Sequence, residues 1–260
     1  MSLYDLTLRE FLLFLLVLFR VSGLMMLAPF FGAATTPGQV KVGLSLLIAI
    51  LVFPIVPTQG LVVPENVGAF VLAVAVETGV GAIIGFVASV FFVGVQLAGL
   101  LVDQELGLTL ANIIDPVTNE QASIIGQLKF FLATLFFLAL DGHHQLLTAV
   151  TGSFDEIPLL GLSLQEGFYR AVTDRQVQEI LEAAVRIAAP TVVALMLVTI
   201  GLGFVARIAP EMNIFVLAFS VRLFIGLGIV MVSIPVFAYV FEKDLSRFFG
   251  AMPEWIRLMR

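Results

Sequence analysis

The stretch from Val67 to Val102, "VGAFVLAVAVETGVGAIIGFVASVFFVGVQLAGLLV", decides the class of fold, with Glu77 as its one charged side chain. Its apolar residues form a continuous run and do not alternate with polar ones. A membrane interior offers no water to open sheet edges, so a run of this kind is expected to be helical. At 1.5 Å per residue it would make a helix of about 54 Å, much longer than a hydrocarbon core of about 30 Å. Either two short halves bend back around Gly85 to Gly94, or one long helix projects beyond the bilayer. The residues alone leave both open.

The rest of the chain resembles this stretch. Of 260 residues, 60% are hydrophobic and 12% charged, with a mean hydropathy of +1.10. Soluble domains hold about 25% charged residues, so the chain reads as an integral membrane protein. Further apolar runs fall near 11–31, 39–57, 122–150, 185–208 and 212–241. The fold expected is all-α, with about six long apolar segments forming kinked helices and helical hairpins in a single membrane domain, 1–260. Pro29, Pro54, Pro190 and Pro235 are expected to kink or end their helices. The amino terminus has Asp5 and Glu10 before its apolar run and no basic n-region, so it reads as a first membrane element and not as a signal peptide.

Two segments depart from this pattern. Residues 151–184 form a polar connection whose second part spaces Val177, Ile180, Leu181 and Ala184 as an amphipathic helix. Glu179 and Glu182 there read as a solvated face. Residues 242–260 carry Lys243, Arg247, Arg257 and Arg260 and read as a basic carboxyl-terminal tail, with Trp255 suited to a membrane surface. No Lys or Arg occurs between Lys41 and Lys129, where Glu65, Glu77, Asp103, Glu105, Asp115 and Glu120 all lie. The positive-inside tendency therefore puts the tail in the cytoplasm and the acidic central loops elsewhere.

Arg20, Lys41, Glu77, Lys129, Asp141, Arg186 and Arg222 sit in or beside apolar runs. An ionised group at the centre of a membrane costs about 2.5–3.5 kcal/mol on insertion scales. Lys41 and Arg186 are placed to snorkel to an interface. Glu77 and Arg222 lie deep in their runs and are expected against protein or a pore. Arg20, Lys129 and Asp141 join them as candidates for buried charge or subunit packing. Gly81 to Gly85, "GAIIG", is a GxxxG that lets two helices approach closely.

Chemistry-bearing motifs are sparse. The chain has no cysteine, which excludes disulfides and thiolate metal sites. "DGHHQ" holds both histidines, His143 and His144, but neighbours on a helix point about 100° apart. No metal site and no cofactor is expected there. The net charge of −6 argues against a nucleic-acid surface. There is no Walker loop, HExxH or GxSxG with triad partners, so no catalytic residue is assigned.

Two stretches carry a resemblance: "GLTLANIIDP" after the long apolar run, and "ARIAPEMNIFVLAFSVRL" at 206–223, where a helix ends at Ala209-Pro210 and restarts after Met212 with Asn213, Ile214 and Phe215. With "PFFGAATTPGQVKVGLSLLIAIL" and "LDGHHQLL", they resemble the FliR/SctT family of bacterial type III export-gate subunits, over essentially the whole chain. The flagellar branch is preferred to the injectisome relatives. The resemblance implies a non-enzymatic subunit that packs with FliP-like and FliQ-like subunits into a closed, cone-like hetero-oligomeric gate. That gate would lie in the bacterial inner membrane, at the flagellar basal body. It would pass unfolded flagellar export substrates in company with FlhB and FlhA. It also implies that Gly107 to Thr118 plugs the channel, with Leu110, Ile113 and Ile114 as the apolar tip. Some relatives carry phenylalanines in place of Leu110 and Ile113, so sealing would rest here on aliphatic bulk, which excludes water by dewetting. Gly107 supplies a hinge, and Asp115-Pro116 fixes a turn. Without the resemblance, the same loop reads as an ordinary connection between helices.

Two other functions compete. A small-solute secondary transporter would place broken helices around Glu77 and Arg222, but such transporters show related halves and none is found. An intramembrane enzyme lacks a paired catalytic constellation.

Overall fold

In the computed structural model the backbone is described for residues 3–32, 36–58, 61–64, 66–108, 123–161, 168–208 and 214–257. Seven α-helices account for most of it: α1 (Leu3–Leu27), α2 (Gly38–Val52), α3 (Val67–Leu106), α4 (Ile124–Ala139), α5 (Gly142–Glu156), α6 (Phe168–Ile208) and α7 (Ile214–Arg257). The protein is an all-α membrane protein. Among the described residues, five helices are long and apolar enough to cross a membrane, or six spans if the broken pair α4 and α5 counts as one.

The alternative left open for the central run is resolved: α3 is one helix of 40 residues, with no reversal at Gly85 to Gly94. Elsewhere, helices run further than the polar residues suggested. The amphipathic part of 151–184 is the first half of α6, continuous with the apolar run after it. The basic carboxyl-terminal segment is helix as far as Arg257. Phe241, Leu245, Phe248, Met252 and Ile256 are buried along it at helical spacing. Trp255 is buried too, at 4% exposure, contrary to its expected place on a membrane surface. Pro29 follows the end of α1, and Pro54 lies in the 3-10 turn Phe53–Ile55 that closes α2. Pro190 and Pro235 lie within α6 and α7 without ending them. Helices in membranes tolerate proline where local adjustments and neighbouring groups satisfy the freed carbonyl.

Two compact units share these helices. The first comprises Met1–Val90, Asp141–Gln176 and Arg247–Arg260. Its core joins Leu13, Leu16 and Val17 of α1 to Ala49 and Val52 of α2, Ala73 of α3, and Phe154 of α5. The second comprises Phe91–Leu140 and Val177–Ser246. Val102 and Leu106 of α3 meet Ile125, Leu195 and Val230 there. A cluster of Phe91, Phe92, Phe130, Phe137 and Phe241, in edge-on and tilted contacts, packs in the same unit, with Phe92 and Phe137 ring centroids 5.5 Å apart. Such contacts add about 0.5–1.5 kcal/mol per aromatic pair beyond the area they bury. Large apolar side chains stay uncovered on α2 (Leu47, Ile50, Leu51), α6 (Leu197, Ile200, Phe204) and α7 (Phe224, Met231, Val232). These faces are available to lipid or to other chains.

Candidate functional site: buried charge and the anchor of the central loop

The first unit encloses a buried ion pair. Arg20 of α1 and Glu77 of α3 are 0% and 1% exposed, so neither meets water or lipid. Arg20 Nε donates to Glu77 Oε2 at 2.6 Å. Its Nη1 donates to the Ser153 and Ile157 carbonyls at 3.2 and 3.0 Å and to Ser153 Oγ at 3.2 Å. The second Glu77 oxygen accepts the Leu160 N–H at 3.0 Å, where Leu160 holds a positive φ of 66°. The Phe154 ring lies 4.3 Å from the guanidinium carbon. One pair of charges thus ties together α1, α3 and the carboxyl end of α5. A buried pair is sustained only when further hydrogen bonds replace its lost hydration; here they serve Arg20 Nε and Nη1 and both Glu77 oxygens, while the buried Arg20 Nη2 has no hydrogen-bond partner among the described residues.

Glycines let the two helices come close enough for that pair. A Cβ on Gly81 would stand 1.8 Å from the Arg20 carbonyl oxygen, and one on Gly23 would stand 2.1 Å from that of Thr78. Gly85 faces the Leu24 carbonyl in the same way, at 2.7 Å. The GxxxG is therefore the seam between α1 and α3.

In the second unit, Asp103 gathers the two helices that flank the central loop. It is 1% exposed. Its carboxylate accepts the Ser123 hydroxyl at 2.5 Å and the Ile125 N–H at 3.2 and 3.3 Å. Ser123 is the N-cap of α4, accepting the Gly126 N–H at 2.8 Å. Gly99 meets Gly126 so closely that a Cβ would fall 2.1 Å from the Gly126 Cα. At the end of α3, Gly107 adopts φ 79°. Its N–H donates to the Gln104 carbonyl at 3.1 Å, while the Leu108 N–H donates to that of Asp103 at 3.0 Å. This pair of bonds is a Schellman cap. Gly107, expected as a hinge, is held as a helix stop.

The remaining sequence candidates are scattered. Lys129 is 3% exposed and its Nζ has no hydrogen-bond partner among the described residues, with the Phe237 ring 5.8 Å away. Arg222 is half-buried, and its buried Nε also lacks a hydrogen-bond partner there. Asp141 is not buried within the chain: its side chain is 71% exposed, and its carboxylate contacts His144 Nδ1 at 3.0 Å. Arg186, expected to snorkel, forms an ion pair with Asp244 between α6 and α7, and Lys41 donates to the Gly32 carbonyl at 3.0 Å. Leu110, Ile113, Ile114, Asp115 and Pro116 lie outside the described residues, as do Ala209, Pro210, Met212 and Asn213; Ile214 and Phe215 open α7.

Sequence reading passed over Asp103, counting it only among the acids of the central region. The available signal was an acidic residue one helical turn before a glycine at the end of an apolar run. The histidine pair also differs from expectation. Asp141, His143 and His144 each bring a ligand atom within 4.8 Å of the others, because side-chain torsions fold the two rings together with centroids 4.1 Å apart.

A helical membrane protein that buries several charged side chains within itself and leaves broad apolar faces uncovered is suited to work within a membrane assembly. Residues 11–248 match the family model described as bacterial export proteins, family 1. The chain belongs to that family, and is a membrane subunit of the type III protein export gate. It is 30% identical over 241 residues to the flagellar biosynthetic protein FliR of Bacillus subtilis, covering 90% of each chain. It is 28% identical to FliR of Escherichia coli, over 92% of this chain and 90% of the relative. Against the Yop proteins translocation protein T of Yersinia pestis, identity is 29% over 84% of both chains.

Proposed function

We propose that this chain is a non-enzymatic subunit of the flagellar export gate. In this reading it joins FliP-like and FliQ-like chains in the bacterial cytoplasmic membrane and works with FlhB- and FlhA-like proteins to pass unfolded flagellar subunits. The observation that carries the reading is the family match over 11–248, joined to a chain that buries Arg20, Glu77, Asp103 and Lys129 and leaves α2, α6 and α7 faces bare. Those faces suit neighbouring subunits. The carboxyl end lies on the cytoplasmic side, in keeping with the basic residues near it. The loop Gly107 to Thr118 closes the gate with Leu110, Ile113 and Ile114.

The Asp103 anchor supports that assignment of the loop. A plug must return to one position after each passage, and a loop whose two ends are fixed by one carboxylate has a defined base. Replacing Leu110, Ile113 and Ile114 together by glycine should let membranes leak ions while complex yield, read by co-purification with FliP- and FliQ-like partners in mild detergent, is unchanged. Tight membranes at normal yield would refute the plug. Failure to recover those partners with the unaltered chain would refute the gate assignment.

A further inference from the structure

We propose that Asp141, His143 and His144 form a binding site for a divalent transition-metal ion of the zinc class, at the amino end of α5. Their ligand atoms lie within 4.8 Å of one another. Two are closer still, with His144 Nδ1 at 3.0 Å from Asp141 Oδ1. Ligand atoms about 2.0–2.2 Å from a tetrahedral ion stand roughly 3.3 Å apart. The Asp141–His144 spacing already fits, and the third ligand needs a shift of about 1.5 Å or less at the widest separation. His143 and His144 side chains supply this by rotation, since no helix backbone has to move.

Two further observations favour a ligand over a simple hydrogen bond. The shielded His143 Nδ1 has no hydrogen-bond partner among the described residues. Asp141 holds φ 56° and ψ 28°, a left-handed conformation uncommon for a residue other than glycine, which sets its carboxylate beside the first turn of α5. The amino end of a helix repels a cation through its partial positive charge, and this carboxylate offsets that field where the ion would sit. Two imidazoles and one carboxylate select zinc, nickel or copper over magnesium and calcium, which take oxygen ligands. The fourth position is left to water or to a group from another chain. A bound ion would bridge Asp141 to the first helical turn and fix the start of α5.

The chain has two histidines and no cysteine, so a metal signal from imidazole can arise only here. The test uses the full chain with an affinity tag free of histidine, purified in mild detergent, stripped with chelator and reloaded with Zn²⁺ or Co²⁺. Expected are about one equivalent of Zn²⁺ retained after desalting and tetrahedral Co²⁺ absorption bands. His143→Ala, His144→Ala and Asp141→Asn should each weaken binding by at least about tenfold. Gln145→Ala, one turn on, should leave it unchanged. Retention by the His143→Ala/His144→Ala double variant equal to that of the unaltered chain would overturn the proposal, as would no retention by the unaltered chain. Chemical modification needs no variant: Zn²⁺ should protect both histidines from diethyl pyrocarbonate, and equal labelling with and without Zn²⁺ would equally overturn it.

Discussion

Glu77→Gln removes one charge from the first unit while preserving shape and one hydrogen bond, because an amide oxygen can still accept the Leu160 N–H. The remaining amide nitrogen then faces Arg20 Nε, donor against donor, across 2.6 Å. Arg20 keeps its bonds to Ser153 and Ile157 but loses its only counter-charge within ion-pair distance among the described residues. Stranding one charge of a buried pair costs about 3–5 kcal/mol, which is roughly two to nearly four orders of magnitude in the folding equilibrium. Surface pairs of the same geometry are worth about 0–1 kcal/mol, so the size of the loss reports burial. The assay is reversible unfolding of the purified chain in mixed micelles by titration with sodium dodecyl sulfate, read by circular dichroism. The companion variant Arg20→Met/Glu77→Leu removes both charges and should recover most of the loss, since apolar replacements of a buried pair are often neutral or better. A Glu77→Gln loss under about 1 kcal/mol would refute the reasoning. So would a double variant no better than the single one.

Other expectations follow from close contacts and from a buried cation that makes no hydrogen bond among the described residues. Gly81→Ala should destabilise the same chain by about 1–3 kcal/mol or more through overpacking, because its Cβ would meet the Arg20 carbonyl oxygen. Gly79→Ala, with nothing within 4 Å of the added Cβ, should be neutral or stabilising by about 0.5–1 kcal/mol in the same titration. Equal effects at the two positions would contradict the packing described for α1 and α3. Lys129→Met should leave the isolated chain as stable or more stable, since the buried ammonium makes no hydrogen bond among the described residues and the cost of its burial outweighs its attraction to Asp103. A loss above about 1 kcal/mol would mean that Lys129 contributes a favourable charge interaction within the second unit.

Much of this architecture can be read from residue order. Uninterrupted apolar runs identify the membrane helices, and the GxxxG at Gly81 and Gly85 marks a seam that the structure places against α1. What residue order concealed is of two kinds. Helix extents were drawn too short where polar residues intervene: the amphipathic helix read at Val177 to Ala184 is continuous with the apolar run after it, and the last helix continues past Phe241. A helix continues as long as one face has something to pack against, and the spacing of Leu245, Phe248, Met252 and Ile256 carried that information beneath the charges. Partnerships were hidden for a different reason. That Glu77 belongs with Arg20, or Asp103 with Ser123, depends on which helices lie side by side, and no local pattern encodes that. The histidine pair misled because ideal helical angles describe Cα–Cβ directions, whereas ligand atoms lie several torsions further out. The apolar tip of the central loop and the Ala209 to Asn213 segment lie outside the described residues, so their reading rests on the family alone.

The seam at Gly23 and Gly81 has a genetic consequence. Every single-base change that alters a glycine codon to another amino acid introduces a Cβ, and at these two positions the atom in its way is a carbonyl oxygen of the facing helix. A carbonyl oxygen cannot rotate aside as a side chain can. No conservative first step therefore leads away from either glycine, whereas Gly79 on the same helix has open space around it. In a library of single-nucleotide variants scored for function, Gly23 and Gly81 should be empty columns and Gly79 a populated one.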